Sequence, residues 1–453
     1  MLPCGPVSRT ITVALAFVAA TSTAARGNPA GVVPTTSQRA GATQVQFEDD
    51  YEYEADSALI TREHAGDPNV DPLAPLPKDH ALEFHQARHV LTPRLEVGVY
   101  RDVWVSFAAP IVLAQSRELD LAGGVDRTTS TSFLDGILPG NGFDARNPGT
   151  PPGGNLVFRG VNRAGVPELR GGVGYAPMNQ ATDDTKPTWK LGAELHLAVG
   201  RVMRFDAVNP SRETGVSTGV DELRLWTSVD RRTRWFEGWF EASWQLPVYT
   251  RGASLFKDPG FGATNVDPSQ TAGLAFGVES FLVDDGVSAN RISVELGTRM
   301  TAHLEGRGYS EMWEAFALAG DHRTAGPLVL DADPTTPGLQ GLSHPGITNI
   351  ESYLETAARL TVRARIGSRI TFAALAELQW RTEHVISFAD AGVDLPTCPT
   401  GAPRCEVDDN TVVNPGTQEV NPLHVRLIDL VGHRYHADDG RGFVVGVEAH
   451  LSF

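Results

Sequence analysis

Four groups of residues have the types and spacing to do chemistry. His424, His433 and His436 stand beside Asp438 and Asp439 near the carboxy terminus. Imidazoles next to carboxylates suit acid–base catalysis or zinc, but these intervals match no standard ligand pattern, so solvated loop or strand-end histidines are expected. Asp331-Ala332-Asp333 and Asp408-Asp409-Asn410 offer oxygen ligands for calcium, yet lack the glycine turn and distal glutamate of an EF-hand. Cys398 and Cys405 flank a short Pro/Gly-rich segment and fit a disulfide in an oxidising compartment. No Gly-x-Ser-x-Gly elbow, His-Glu-x-x-His, Walker loop or dinucleotide fingerprint occurs. The sequence thus designates no catalytic residue, cofactor or metal.

The fourth group recurs every second residue. Lys190, Glu194, His196, Arg224, Glu237, Glu241, Glu279, Glu295, Arg299, Glu351, Glu355, Arg359, Arg363, Glu377, Glu448 and His450 alternate with apolar neighbours. In the stretch from residue 350 to 366, Leu354, Ala358, Leu360 and Val362 oppose Glu355, Arg359 and Arg363. A helical period would scatter these charges around an axis, whereas a strand collects them on one face. Unpaired buried charge is very costly, so they are expected to line a lumen, as a Glu–Arg ladder or a wet path for solutes.

The elements that carry them are long strands, expected at 44–62, 80–98, 103–119, 166–179, 187–203, 219–229, 234–248, 270–284, 290–304, 349–365, 369–386 and 441–453. Several exceed the roughly 9–11 tilted residues that cross a bilayer. Short turns at 99–102, 180–186, 230–233, 285–289 and 366–368 alternate with long Gly/Pro/Asp-rich loops. That predicts a transmembrane antiparallel up-and-down β-barrel of about 12 strands (about 10–14), with short periplasmic turns and long outer loops. Two places strain the scheme. The first strand carries Glu48, Asp49, Asp50, Glu52 and Glu54 and reads equally as a plug or an arm. Between Leu82 and Val97 the apolar positions change parity, which a bulge beside Pro93 would absorb. Trp104, Trp189, Trp235 with Phe236, Trp313 and Trp380 lie near strand ends, as interfacial girdle residues do.

The two ends agree with export. Arg9, the apolar stretch from Ile11 to Ala20 and the small residues after it read as a signal peptide over 1–25, followed by a periplasmic segment over 26–43 and a barrel over 44–453. The last strand alternates Phe443, Val445, Val447, Ala449, Leu451 and Phe453 with polar or small residues. It resembles the closing strand of bacterial outer-membrane barrels, in which the terminal aromatic is read by the assembly machinery. Phe453 is therefore the expected assembly signal, in the outer membrane of a Gram-negative bacterium. With 41% hydrophobic residues the chain is polar for a membrane protein, but only alternate barrel residues meet lipid. A net charge of −17 argues against nucleic-acid binding.

The strand-turn-strand from Leu95 to Pro110 (LEVGVYRDVWVSFAAP) and the segment from Asp183 to Trp189 (DDTKPTW) carry a further likeness. They resemble recurrent units of the channel-like outer-membrane proteins named after the meta-pathway of phenol degradation. The resemblance implies a channel for small, often apolar or aromatic solutes, and brings no functional residues with it. A non-transporting barrel whose long outer loops bind a ligand, partner or surface polymer is the alternative, and an outer-membrane hydrolase a weaker one.

Overall fold

The computed structural model describes residues 45–64, 76–250, 267–285, 288–330, 337–339, 341–342, 344–388 and 424–453. They form a closed barrel of 12 antiparallel strands. In chain order these are β1 (Val45–Glu63), β2 (Lys78–Tyr100), β3 (Val103–Ala108, continued by Ile111–Leu121), β4 (Leu169–Met178), β5 (Thr188–Leu197) and β6 (Val220–Arg232). There follow β7 (Phe236–Thr250), β8 (Thr271–Asp285), β9 (Asn290–His303), β10 (Tyr353–Ile366), β11 (Ile370–Arg381, continued by His384–Ser387) and β12 (Tyr435–Ser452). Each pairs with its neighbours in sequence, and β12 closes on β1 with Leu451 opposite Phe47 and Phe443 opposite Ala55. Phe453 completes the seam by exchanging backbone hydrogen bonds with Val45 at 2.9 and 3.2 Å.

Period two makes this wall two-faced. Phe276, Val278, Leu296, Leu360 and Leu378 point outward and are 45–65% exposed. An apolar band of this extent is not left against water. A closed ladder also satisfies the backbone groups within it, which is the condition for crossing hydrocarbon. The barrel is therefore transmembrane. Among the described residues no helix is long and apolar enough to span a bilayer.

The acid-rich first strand is part of the wall, neither plug nor arm. Its Glu54 and Asp56 turn inward, where Arg88 and Arg381 lie 3.7 and 2.5 Å away. Nor does β2 bulge at Pro93: its register against β1 runs unbroken from Val97 opposite Val45 to Leu82 opposite Ile60. The parity change has another cause. From Leu82 to Glu96 the even face of β2 points inward, but it meets an apolar core at Leu82 and Phe84 and a polar lumen at Arg94 and Glu96. It is β3 that is irregular: its register against β2 shifts by one residue between Val112 and Ala114, and the strand is interrupted at Pro110, which has no N–H to donate. Below it Val103–Ala108 pairs with β4, and above it Ile111–Leu121 pairs with Leu156–Arg159 and Arg163–Gly165.

Both ends of the wall and the short turns lie at one end of the barrel, and the long connections lie at the other. Among the described residues those connections carry three α-helices, α1 (Thr131–Leu134), α2 (Trp313–Gly320) and α3 (Arg426–Asp429). The expected signal peptide and periplasmic segment, Cys398 with Cys405, and both Asp-rich calcium candidates fall outside the described residues.

Candidate functional site: a polar lumen under a folded plug

Ion pairs that skip a strand can meet only inside the barrel. Arg299 on β9 reaches Glu377 on β11 at 2.8 Å, and Glu355 on β10 at 2.9 Å. Arg359 closes on the other oxygen of Glu377 at 2.8 Å. Arg363 lies 2.6 Å from Glu295 and 3.7 Å from Glu279. Across the lumen, Arg94 on β2 binds Glu194 on β5 at 2.9 Å. Arg224 meets Glu241 at 2.5 Å, and Lys190 meets Asp230 at 3.3 Å. Glu237 stands opposite Glu279 and is buried, and His450 bonds Gln46 at 3.2 Å beside half-buried Glu448. Glu351 stands apart. It precedes β10 at the outer end, is exposed, and accepts the Val385 N–H at 3.2 Å.

Aromatic rings share this lumen. Trp104 and Trp239 are buried on the inner face, and Trp226 lies 6.4 Å from Trp104 between ring centroids. A Cβ added at Gly174 or Gly192 would fall 2.2 or 2.3 Å from the rings of Trp104 and Trp226, so only glycine lets each indole lie flat on the wall. Trp235, Phe236 and Trp380 are exposed on the outside as girdle residues should be, but Trp104 and Trp313 are not. Trp104 faces inward because even positions of β3 do, and Trp313 belongs to α2.

Above the charges the lumen is filled. The sequence of α2, Trp-Glu-Ala-Phe-Ala-Leu-Ala-Gly, is rich in good helix formers and free of β-branched residues. Each of its residues is buried. Met312, Phe316 and Leu318 pack with Ile60, Leu82, Phe84, Leu138, Phe158 and Tyr435 in one apolar core. Polar ties fix its position. Arg163 donates to Glu314 at 2.7 Å and to the Gly215 carbonyl at 3.0 Å. Arg117 donates to the Ser310 carbonyl at 2.7 Å, and the Tyr309 hydroxyl to that of Met203 at 2.9 Å. Glu311 is buried between His384 Nε2 at 3.5 Å and Arg381 at 3.7 Å. Burial alone would push the Glu311 carboxyl up, but His384 and Arg381 outweigh it and hold the group low, at about 2. The apolar run Met312–Ala319, set in an otherwise Gly/Pro/Asp-rich loop, was the available sequence signal for this plug.

The histidines near the carboxy terminus do not converge. His424 lies 3.8 Å from Asp429, while His436 sits between Glu63 at 3.0 Å and Glu383 at 2.6 Å. Asp438 accepts from Thr61 at 2.6 Å, and Asp439 pairs with Arg441 at 2.7 Å. Among the described residues one other cluster has metal-ligand composition. Atoms of Glu168, His196 and Glu222 lie within 4.8 Å of one another, all buried.

No protein-family model and no curated protein matches the sequence. Among solved structures, an outer membrane channel from Pseudomonas putida F1 is similar at 10% identity and a TM-score of 0.35, over 90% of this chain and 95% of that one. A FadL homologue from Pseudomonas aeruginosa aligns at 9% identity and 0.32, over 92% of each chain. The outer membrane protease OmpT from Escherichia coli aligns at 5% identity and 0.29, over 90% of this chain and 97% of its own. Likenesses this distant carry neither solute nor activity.

Proposed function

We propose that the protein is an outer-membrane channel for small molecules whose outer mouth is closed by the segment carrying α2. The observation that carries this reading is a folded plug seated above a wall of charged and aromatic side chains. A barrel built only as a scaffold gains little from such a wall. Buried ion pairs contribute weakly to stability, and apolar packing of similar volume often serves better. Fixed charges do serve a path that selects ions or polar groups. Trp104, Trp226 and Trp239 add flat apolar surface to the same lumen, which suits aromatic solutes. In this reading the exported chain is inserted by the assembly machinery through its Phe453 strand, with short turns periplasmic and long loops outside. The outer-loop binding scaffold is favoured instead by the cross-lumen pairs of Arg94 and Arg299, which hold distant strands together.

Conductance in a planar bilayer separates the two. The wild type is expected to be closed or to open rarely, and replacing Trp313–Gly320 by a Gly/Ser linker should open it. If neither protein conducts, the scaffold reading replaces the channel. Orientation is tested in intact cells, where a cysteine at Gly140 should be labelled from outside and one at Ser368 should not.

A further inference from the structure

We infer that Glu168, His196 and Glu222 form a site for a divalent first-row transition-metal ion at the outer end of the polar lumen. The three come from neighbouring strands at one level. Glu168 immediately precedes β4, His196 is the last residue but one of β5, and Glu222, the third residue of β6, is in register with His196. Nothing in the local sequence announces the set, because its members are far apart in the chain.

The imidazole decides the chemistry. His196 is fully buried, and its Nε2 lies 2.9 Å from Glu194 Oε1, a carboxylate itself held by Arg94. Its Nδ1 makes no hydrogen bond and lies 3.5 Å from Glu168 Oε1. With the proton on Nε2, the Nδ1 lone pair faces a carboxylate oxygen, and two acceptors at that distance call for a proton or a metal cation between them. A proton on Nδ1 would serve Glu168 alone. It would leave out Glu222, whose other neighbour is the Gln245 amide at 2.7 Å and whose carboxyl oxygen belongs to the same cluster. A dication answers both carboxylates and the imidazole at once.

The surroundings are those of a metal site. A ligating histidine almost always donates its second ring N–H to a carboxylate or carbonyl, and ligating carboxylates are hydrogen-bonded in turn. Glu194 fills the first role. Arg170, which donates to Glu168 at 2.6 Å, and Gln245 fill the second. For bonds of about 2.0–2.2 Å the donors of a tetrahedral ion stand about 3.4 Å apart. The His196–Glu168 separation already matches, and a rotamer adjustment of Glu222 closes the set. One imidazole with two carboxylates and no thiolate favours zinc, manganese, iron(II) or cobalt over copper(I), and the imidazole disfavours calcium.

Cobalt(II) is the probe. Full-length protein purified from membranes in detergent and stripped with chelator should take up one equivalent, with visible d–d bands that zinc displaces. His196→Gln and Glu168→Gln should abolish the bands, Glu194→Gln should weaken binding by about 10–100-fold, and His424→Gln should change nothing. Folding of each variant is read from heat-modifiable gel mobility. If the ligand variants do not fold, pulsed EPR of copper(II) bound to the wild type decides, since a single coupled imidazole supports the site. No d–d bands at stoichiometric cobalt, unchanged binding by His196→Gln, or copper without that imidazole overturns the proposal. None of these readouts depends on whether the barrel conducts.

Discussion

The outer and inner halves of the barrel interior are lined by the same strands but filled by opposite chemistry. Around α2, Ile60, Leu82, Phe84 and Phe316 make an apolar core like that of a soluble domain. Toward the short turns, Arg299, Glu377, Arg359, Arg363 and Glu295 interlock, each less than a tenth exposed. Against β1, β2 keeps one register through both halves, from Leu82 to Val97. Inward parity therefore does not by itself specify a polar residue; what occupies the lumen at that height does.

The sharpest way to break the comparison is to remove one large group from each half. Phe316→Ala leaves a cavity in a core with no water to fill it, at a cost of about 3–5 kcal/mol. Glu377→Gln removes the carboxylate that Arg299 and Arg359 share and leaves Arg299 with Glu355, also at about 3–5 kcal/mol for breaking a buried ion-pair network. The two should differ in rescue. Phe316→Leu should recover most of the loss, whereas Glu377 should be rescued only by also making Arg299 and Arg359 apolar. Thermal unfolding in detergent measures both. Equal rescue of Glu377→Gln by repacking alone would mean that the inner half is an ordinary core.

Acid should act on the junction between the halves. Glu311 is held at about 2 in the folded protein against an ordinary 4.5. A lowered carboxyl stabilises above its unfolded value and loses that contribution as pH falls from about 4.5 toward 2. At full linkage this is about 3 kcal/mol. Protease protection of the α2 segment, followed by mass spectrometry, should fall across that window. Glu311→Gln should flatten the dependence and weaken protection at neutral pH. A wild-type profile flat between pH 5 and 2.5 (about 3 kcal/mol expected) would remove Glu311 from the anchoring of the plug.

Much of the barrel was legible in sequence because lipid imposes strict alternation on the outer face and because turn and loop lengths alternate. Phe276, Leu296, Leu360 and Leu378 carry that signal without help from anything inside. Inner-face residues carry a weaker one. Glu54 looked unfit for a wall strand because its partner, Arg88, lies on the next strand, beyond a long connection. Leu82 and Phe84 suggested a bulge because the plug they meet arrives from a connection far downstream. The cluster of Glu168, His196 and Glu222 was invisible for the same reason: register, not spacing, assembles it.

The smallest effect expected tests the inner half at its least charged point. Gly174 gives Trp104 a flat bed, and a methyl group there would overlap the ring at 2.2 Å. Gly174→Ala forces the indole from the wall into the lumen, an overpacking cost of about 1–3 kcal/mol. Gly238, where an added Cβ meets nothing within 4 Å, is the control. Gly238→Ala should be neutral or slightly stabilising, because alanine restricts the unfolded chain. Tryptophan fluorescence separates the outcomes. If the inner half is a wet lumen, the displaced Trp104 should shift to the red and become open to a small polar quencher. A blue shift with no gain in quenching would mean that the ring has moved into dry packing, and that the inner half is as filled as the outer.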